Sequence, residues 1–266
     1  MRMAARSVAR YIAVLAIAVA LFHGCYSDPA LKDFEKAEQL LSSGDFGEAL
    51  RKYTYIANNF QASPSAPKSR YKMAFIYRNS LLDRKEAIET YKTLIFLYPQ
   101  SAEAVSARKD LAKLYSEIGE YSKALAQEQW LYKQGYLNEN QFKFMLAMHY
   151  VRTNDFKQAR IEFESLESNA GDKDIVQEAY FQHASTYFLE GDSKKAIEAY
   201  DDVLSRFPTH KAALDMKFNK AKALEESGKP LEALELLVSI RGEHPNKAVV
   251  ESSIEGIRDR LRNGGG

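Results

Sequence analysis

The 266-residue sequence has one cysteine, no excess of either charge, and no apolar run long enough to span a bilayer comfortably. A single cysteine excludes an intramolecular disulfide. The 37 basic and 36 acidic residues give a formal charge of +1, so neither a basic nucleic-acid-binding surface nor an acidic tail is indicated. We therefore expect no nucleic-acid partner. Hydrophobic residues make up 45% of the chain, which is enough for a folded core.

The N-terminal residues differ in composition from the rest of the chain. An uncharged stretch, YIAVLAIAVALF, runs from Tyr11 to Phe22, and three basic residues precede it: Arg2, Arg6 and Arg10. This stretch falls short of the roughly 20 apolar residues that a membrane-spanning helix needs. It suits the central region of a signal peptide, which we predict over residues 1–24.

The segment LFHGC, which ends at Cys25, resembles a bacterial lipobox. In that family the signal peptidase cuts before the cysteine, and the thiol then carries diacylglycerol. The family pattern has leucine three residues before the cysteine, whereas this chain has Phe22 there and Leu21 one residue further out. The resemblance implies a lipoprotein with lipid, including palmitate, attached at Cys25.

The residue after Cys25 bears on localisation. In the enterobacterial sorting rule an aspartate at that place retains a lipoprotein in the inner membrane, and this chain has Tyr26. The resemblance therefore implies a lipid-anchored protein of the outer membrane that faces the periplasm, with residues 25–29 as the lipidated N-terminus and a short linker. Two alternatives stay open: cleavage after the A-x-A site that ends at Ala20, giving a soluble periplasmic protein, or an uncleaved anchor.

The rest of the chain repeats itself. Segments such as Gly44-Asp45-Phe46 and Asn154-Asp155-Phe156 are each followed by an alanine at the same place in a shared template. Successive alanines of this kind are 38, 37, 35, 37 and 37 residues apart, a period typical of solenoids built from helix pairs. They are Ala49, Ala87, Ala124, Ala159, Ala196 and Ala233.

A second set of alanines precedes the first, and each is followed three residues later by a large side chain. Two helices can cross closely only where a small side chain lies at the crossing, and a large residue one turn on fills the space beside it. The second set is Ala37, Ala74, Ala112, Ala147, Ala184 and Ala221.

This small–large pattern resembles the tetratricopeptide repeat (TPR) family. The resemblance implies an all-α fold, a right-handed TPR superhelix of about six helix-turn-helix repeats. We predict that the solenoid covers residues 30–262 and ends in a capping helix over residues 249–261, with residues 263–266 as a flexible tail.

Motifs of catalysis are missing from the sequence. It has no G-x-S-x-G elbow, no Gly-rich phosphate loop ending in Gly-Lys-Ser/Thr, and no H-E-x-x-H. Its five histidines lack a second ligand at helical spacing. We expect that the chain is not an enzyme, needs no cofactor and binds no metal.

In TPR proteins the first helix of each repeat lines a concave groove. Alignment of the repeats on their alanines implies that large apolar side chains interleaved with cations line such a groove here, a surface suited to an extended or helical peptide. An alternative is that several of these rings pack against the next helix. The predicted groove residues are Phe34, Tyr71, Phe75, Arg78, Lys109, Lys113, Phe144, Met148, Arg152, Phe181, Phe188, Phe218 and Lys222, with Lys68 beside them.

The architecture resembles two TPR proteins of the bacterial envelope, the lipoprotein of the β-barrel assembly machine and the pilotins of type IV pili. It implies a membrane-anchored scaffold that binds protein segments of the envelope during assembly of an outer-membrane complex. Two alternatives are a binder of envelope glycans or small ligands and an accessory to peptidoglycan enzymes. Copurification with a protein, as opposed to retention by glycan, separates the first of these from the scaffold.

Overall fold

The computed structural model describes residues 28–168 and 173–263. The predicted signal peptide and the lipidation site at Cys25 lie outside these ranges, as do residues 264–266 of the predicted tail. In the ranges described, every regular element is an α-helix. In chain order the helices are α1 Leu31–Ser42, α2 Phe46–Asn59, α3 Ser65–Asn79, α4 Arg84–Leu97, α5 Ala102–Glu117, α6 Tyr121–Lys133, α7 Glu139–Arg152, α8 Phe156–Glu167, α9 Lys173–Glu190, α10 Ser193–Arg206, α11 Ala213–Glu226, α12 Pro230–Ile240 and α13 Lys247–Asn263.

The helices form consecutive hairpins, each made of an A helix (α1, α3, α5, α7, α9 or α11) and the B helix that follows it. The last helix, α13, packs against α12. This order confirms the predicted all-α fold of about six helix-turn-helix repeats with a C-terminal capping helix. Contacts within the chain divide it into two compact units, and the boundary along the sequence falls within α5, between Leu111 and Ala112.

Both predicted sets of alanines lie at helix crossings. All twelve are buried, with at most 3% of any of them exposed. In the first unit, Ala37 and Ala49 share a cluster with Tyr53 and Met73. In the second unit, successive clusters link α7 to α9, α9 to α11 and α11 to α13. Each cluster involves only neighbouring hairpins, as expected for a repeat protein whose core is a series of nearest-neighbour interfaces.

The turn between the A and B helices has one residue with positive φ in every hairpin. Four of these turns use glycine, and the hairpin of α7 and α8 uses Asn154. In the hairpin of α3 and α4 the residue is Leu82, with φ 55° and three-quarters of its surface exposed. A left-handed conformation is strained for leucine because its Cβ approaches the carbonyl oxygen.

We expect Leu82→Asn to stabilise the protein by about 0.5–1 kcal/mol, because asparagine adopts positive φ more readily and the leucine side chain is exposed. The measurement is the free energy of unfolding in urea. Leu81→Asn is the matched control, since Leu81 is also exposed but has no positive φ. An equal gain from both variants would mean that removal of exposed leucine, and not backbone strain, is responsible.

Asp28 attaches the start of the described chain to the first unit. Its carboxylate accepts hydrogen bonds from the hydroxyls of Ser63 and Ser65, in the connection between α2 and α3, and from the backbone N–H of Ala30 at 3.0 Å. Burial by itself would raise the pKa of Asp28, but these hydrogen bonds outweigh it and lower the pKa. The chain therefore enters the fold at a defined place.

The lowered pKa predicts a pH-dependent contribution of Asp28 to stability. Because the folded-state pKa lies below the unfolded one, the contribution is present above the unfolded value of about 4 and disappears as the pH falls through the folded value. We expect Asp28→Asn to destabilise the protein by about 1–2 kcal/mol at pH 7 and by less near pH 3, below the unfolded value. Urea unfolding at both pH values measures this difference.

Asp45→Asn is the control for this experiment, because Asp45 caps α2 by accepting from the N–H of Glu48 and asparagine caps about equally well. A loss of stability in Asp28→Asn that did not change with pH would contradict an ionised Asp28.

Candidate functional site

A cleft of about 370 Å³ lies on the A helices of the first unit. Three successive A helices, α1, α3 and α5, each supply one wall of the cleft. The cleft is therefore a direct result of the stacking of the hairpins. It is the kind of concave surface that the sequence predicts, and two of the predicted groove residues, Phe34 and Tyr71, line it. The lining residues are Phe34 and Glu38 of α1, Lys68, Tyr71 and Lys72 of α3, and Ala102, Glu103 and Ser106 of α5.

The two rings of the cleft are fixed from behind by B-helix tyrosines. The Phe34 ring lies 5.7 Å from that of Tyr53, and the Tyr71 ring lies 5.9 Å from that of Tyr91. Tyr53 and Tyr91 are completely buried, whereas Phe34 and Tyr71 are half-buried. Each cleft ring therefore packs on its own hairpin and still presents apolar surface to a ligand.

The charges of the cleft fall into two groups. Lys72 forms an ion pair with Glu38 at 2.9 Å, and Glu38 also accepts a hydrogen bond from the Tyr53 hydroxyl. Lys68 is exposed and Glu103 is half-buried, and within the described ranges neither of them forms an ion pair. These two side chains can pair with charges of a ligand without losing an existing partner.

Arg78 and Tyr71 share an internal partner. The Tyr71 hydroxyl donates to an Asp110 carboxylate oxygen at 2.6 Å, and the Arg78 guanidinium lies 3.5 Å from the other oxygen. Burial, together with the nearby negative charge of Asp110, raises the pKa of Tyr71, so its phenol stays protonated and donates. The Arg78 side chain is only 13% exposed. It holds α3 against α5 and is not among the residues that line the cleft.

Two other predicted groove residues of the first unit lie outside this cleft. Phe75 is 41% exposed on α3, and Lys109 is exposed on α5. Neither lines the cleft.

In the second unit the predicted groove rings are half-buried against their own hairpins. Phe144 and Met148 pack at the edge of the cluster of α7, α8 and α9, and Phe144 lies 6.0 Å from Phe163. Phe181 and Phe188 border the cluster of α9, α10 and α11. Phe218 packs in the last cluster, 5.5 Å from the ring of His244.

The predicted cations of the second unit differ in their surroundings. Lys113 and Arg152 are exposed. Lys222 pairs with Glu225 at 3.5 Å. Glu128 lies on α6, the B helix that precedes α7 in the chain. Burial raises the pKa of Glu128, and the positive charge of Arg152 acts against that rise. Arg152 therefore has an internal electrostatic role beside any contact with a ligand.

The prediction did not include Glu38, Lys72, Glu103, Ser106 or Asp110. The sequence did contain a signal for Glu38 and Lys72. Glu38 directly follows Ala37, and Lys72 lies two residues before Ala74, so the two opposite charges are on the A helices of successive repeats. Such a pair is what packed neighbouring A helices can bring together.

Residues 28–168 and 173–263 contain neither a metal-binding cluster nor a membrane-spanning helix. No group of three or more His, Cys, Asp or Glu side chains lies close enough there to hold a metal ion. No helix within those same ranges has both the length and the apolar composition required to cross a membrane.

Comparison with known proteins agrees with this fold. The tetratricopeptide repeat family matches residues 68–101 and 178–210. A tetratricopeptide repeat protein from Parabacteroides merdae is similar in structure, with a TM-score of 0.65, 18% identity, and coverage of 88% of this chain and 86% of that one. A comparison with curated proteins finds no match.

Two further solved structures share the fold. PilW, described as a widely conserved type IV pilus biogenesis factor, has a TM-score of 0.55 and 13% identity, with 86% of this chain and 97% of that chain covered. MamA from Desulfovibrio magneticus has a TM-score of 0.51 and 16% identity, with 70% and 98% covered. The helical hairpins and the A-helix cleft thus define a TPR scaffold fold.

Proposed function

We propose that this chain is a membrane-anchored scaffold whose A helices bind segments of envelope proteins during assembly of an outer-membrane complex, such as a β-barrel, secretin or pilus. The cleft of the first unit carries the proposal, because it combines two half-exposed rings with uncompensated charges of both signs. Rings offer apolar contact, and Lys68 and Glu103 offer pairing with side chains or backbone of an extended segment.

The envelope context rests on the sequence. The apolar stretch before Cys25 supports export and lipidation, and Tyr26 supports the outer membrane. PilW shares the fold and is described as a pilus biogenesis factor, which is compatible with an assembly role but, at 13% identity, does not select one.

Photo-crosslinking in intact cells tests the scaffold role. A photoreactive residue in place of Lys68, at the cleft, should capture a protein partner. The same residue in place of Lys85, an exposed position on the B helix α4, is the matched control and should capture much less. Equal capture at both positions, or retention of the protein by glycan with no protein captured, would contradict a protein-binding cleft.

The anchor is tested separately by Cys25→Ser. We expect this variant to leave the membrane fraction and to accumulate as soluble periplasmic protein or uncleaved precursor, because loss of the acyl chains removes the main source of membrane affinity. Cell fractionation with immunoblotting measures it. A variant that stays in the outer membrane at the wild-type level would show that the anchor is elsewhere.

A further inference from the structure

The first unit has exposed apolar side chains at the edge where the described chain begins. This N-terminal edge, defined by Leu31, Tyr55, Phe96 and Leu97, contains the start of α1 and the ends of α2 and α4. All four side chains are exposed, and Phe96 is the most exposed large hydrophobic residue in the described ranges, at 82%.

Hydrogen bonds hold this edge together. Asp28 binds Ser63 and Ser65 in the connection between α2 and α3, and the Tyr98 hydroxyl at the end of α4 donates to the carbonyl of Gln61 at 3.1 Å. Tyr55 packs edge-on against Phe60 with ring centroids 5.7 Å apart. The edge is therefore held in a defined conformation, and it has aromatic residues at the ends of two neighbouring B helices.

The apolar residue at position 96 is specific to this hairpin. Each hairpin has an equivalent residue nine places after its B-helix alanine, and in the other five hairpins that residue is polar, charged or glycine: Asn58, Lys133, Ser168, Ser205 and Gly242. The repeat fold does not need a ring at this place, since Phe96 contributes almost no buried surface. Packing within the hairpin therefore does not explain why position 96 is a phenylalanine.

We infer that the N-terminal edge rests on the surface of the lipid bilayer. The inference depends on the proposed anchor at Cys25. Asp28 lies three positions after Cys25, a reach of about 10 Å at full extension, and Asp28 is fixed to this edge. A chain anchored at Cys25 holds the edge close to the lipid headgroups. Tyrosine suits that boundary because its ring is apolar and its hydroxyl is polar, and phenylalanine and leucine are side chains that interfacial helices bury at the edge of the acyl region.

The opposite end of the same hairpins gives a contrast. Leu81 and Leu82, in the turn between α3 and α4, are also exposed, but α4 separates them from Phe96 by about 20 Å of helix. The anchor is at the other end, so these leucines point away from the bilayer. Exposure alone does not identify the membrane-facing edge; the entry point of the chain does.

Depth-dependent fluorescence quenching tests the inference. Cys25 is the only cysteine, so the chain from Cys25 onward, which contains every described helix, can be coupled through that thiol to a maleimide lipid in phosphatidylcholine vesicles. Two variants are compared in a Trp130→Phe background: Phe96→Trp at the N-terminal edge and Leu81→Trp at the turn. Vesicles with brominated acyl chains provide the quencher.

We expect the emission of Phe96→Trp to fall about twofold in brominated vesicles and that of Leu81→Trp to stay nearly constant, because bromine quenches only an indole at the acyl boundary. Equal quenching of both variants, or of neither, would overturn the inference. If position 96 instead contacts a partner protein, the indole of the Phe96→Trp variant is not quenched by lipid. The chemical tether makes this result independent of natural lipidation, which Cys25→Ser tests, and of ligand binding in the cleft.

Discussion

Ser106→Tyr is expected to lower the recovery of a crosslinked partner at least tenfold, corresponding to about 1.4 kcal/mol of binding free energy. Ser106 lines the cleft from α5 and is half-buried there. A tyrosine at this place would occupy part of the volume between Phe34 and Tyr71 in which a ligand side chain would lie. Filling the cleft removes the apolar contact that commonly supplies most of the affinity at such an interface.

The control for this variant is Ser122→Tyr, which adds the same side chain at an exposed position of α6. It should leave partner recovery unchanged. Circular dichroism must show the same helix content in both variants and in the parent protein. If helix content is retained and Ser106→Tyr still captures partner at the parent level, the cleft is not the binding site, and the A helices of the second unit or the loops must carry the contact.

Ala184→Leu is expected to destabilise the protein by about 1–3 kcal/mol through overpacking. Ala184 is 2% exposed and lies in a cluster with Ala196, Tyr200 and Met216. A leucine there adds three carbon atoms where α9 and α10 cross, so the helices must separate or neighbouring side chains must leave their preferred rotamers. Because stability in a repeat protein is shared between neighbours, the loss should extend to the adjoining hairpins.

Urea unfolding measures the total effect, and hydrogen exchange locates it. Ala126→Leu is the matched control, since Ala126 is exposed on α6 and leucine and alanine are both strong helix formers. Its effect should stay within about 0.5 kcal/mol. If Ala184→Leu were equally mild, the small residue would not be required at that crossing, despite its burial.

The fold could be predicted from the sequence because the repeat depends on local, periodic choices. A small residue at each helix crossing, a large one three residues later, and turn residues between them recur at nearly constant spacing. The structure places all of those alanines in buried positions. The turn of the second hairpin departs from the pattern, because Leu82 adopts the positive φ that glycine or asparagine adopts elsewhere. Packing of α3 on α4 overrides the local preference of that residue.

The candidate site could be predicted only in part. The alignment of repeats predicts large rings on the groove side of the A helices, and the structure places two of them, Phe34 and Tyr71, in the lining of a cleft. It does not indicate that Arg78 is held by Asp110 and so takes no part in lining the cleft. Ser106 has the same place in its repeat as Lys68, six residues before the A-helix alanine, but its side chain is neither large nor charged; Glu103 lies outside the aligned groove positions.

The sequence alone determined the helical repeat, the number of hairpins and the small residues at their crossings, since these follow from side-chain size and period along one chain. Only the tertiary structure decided which charges neutralise one another, where a cleft opens, and how Asp28 fixes the entry of the chain. Tyr71 and Asp110 are 39 residues apart, and Asp28 and Ser65 are 37 apart. Such pairs depend on the rotation of each helix about its axis and on the crossing of neighbours, and periodicity along the chain does not specify either.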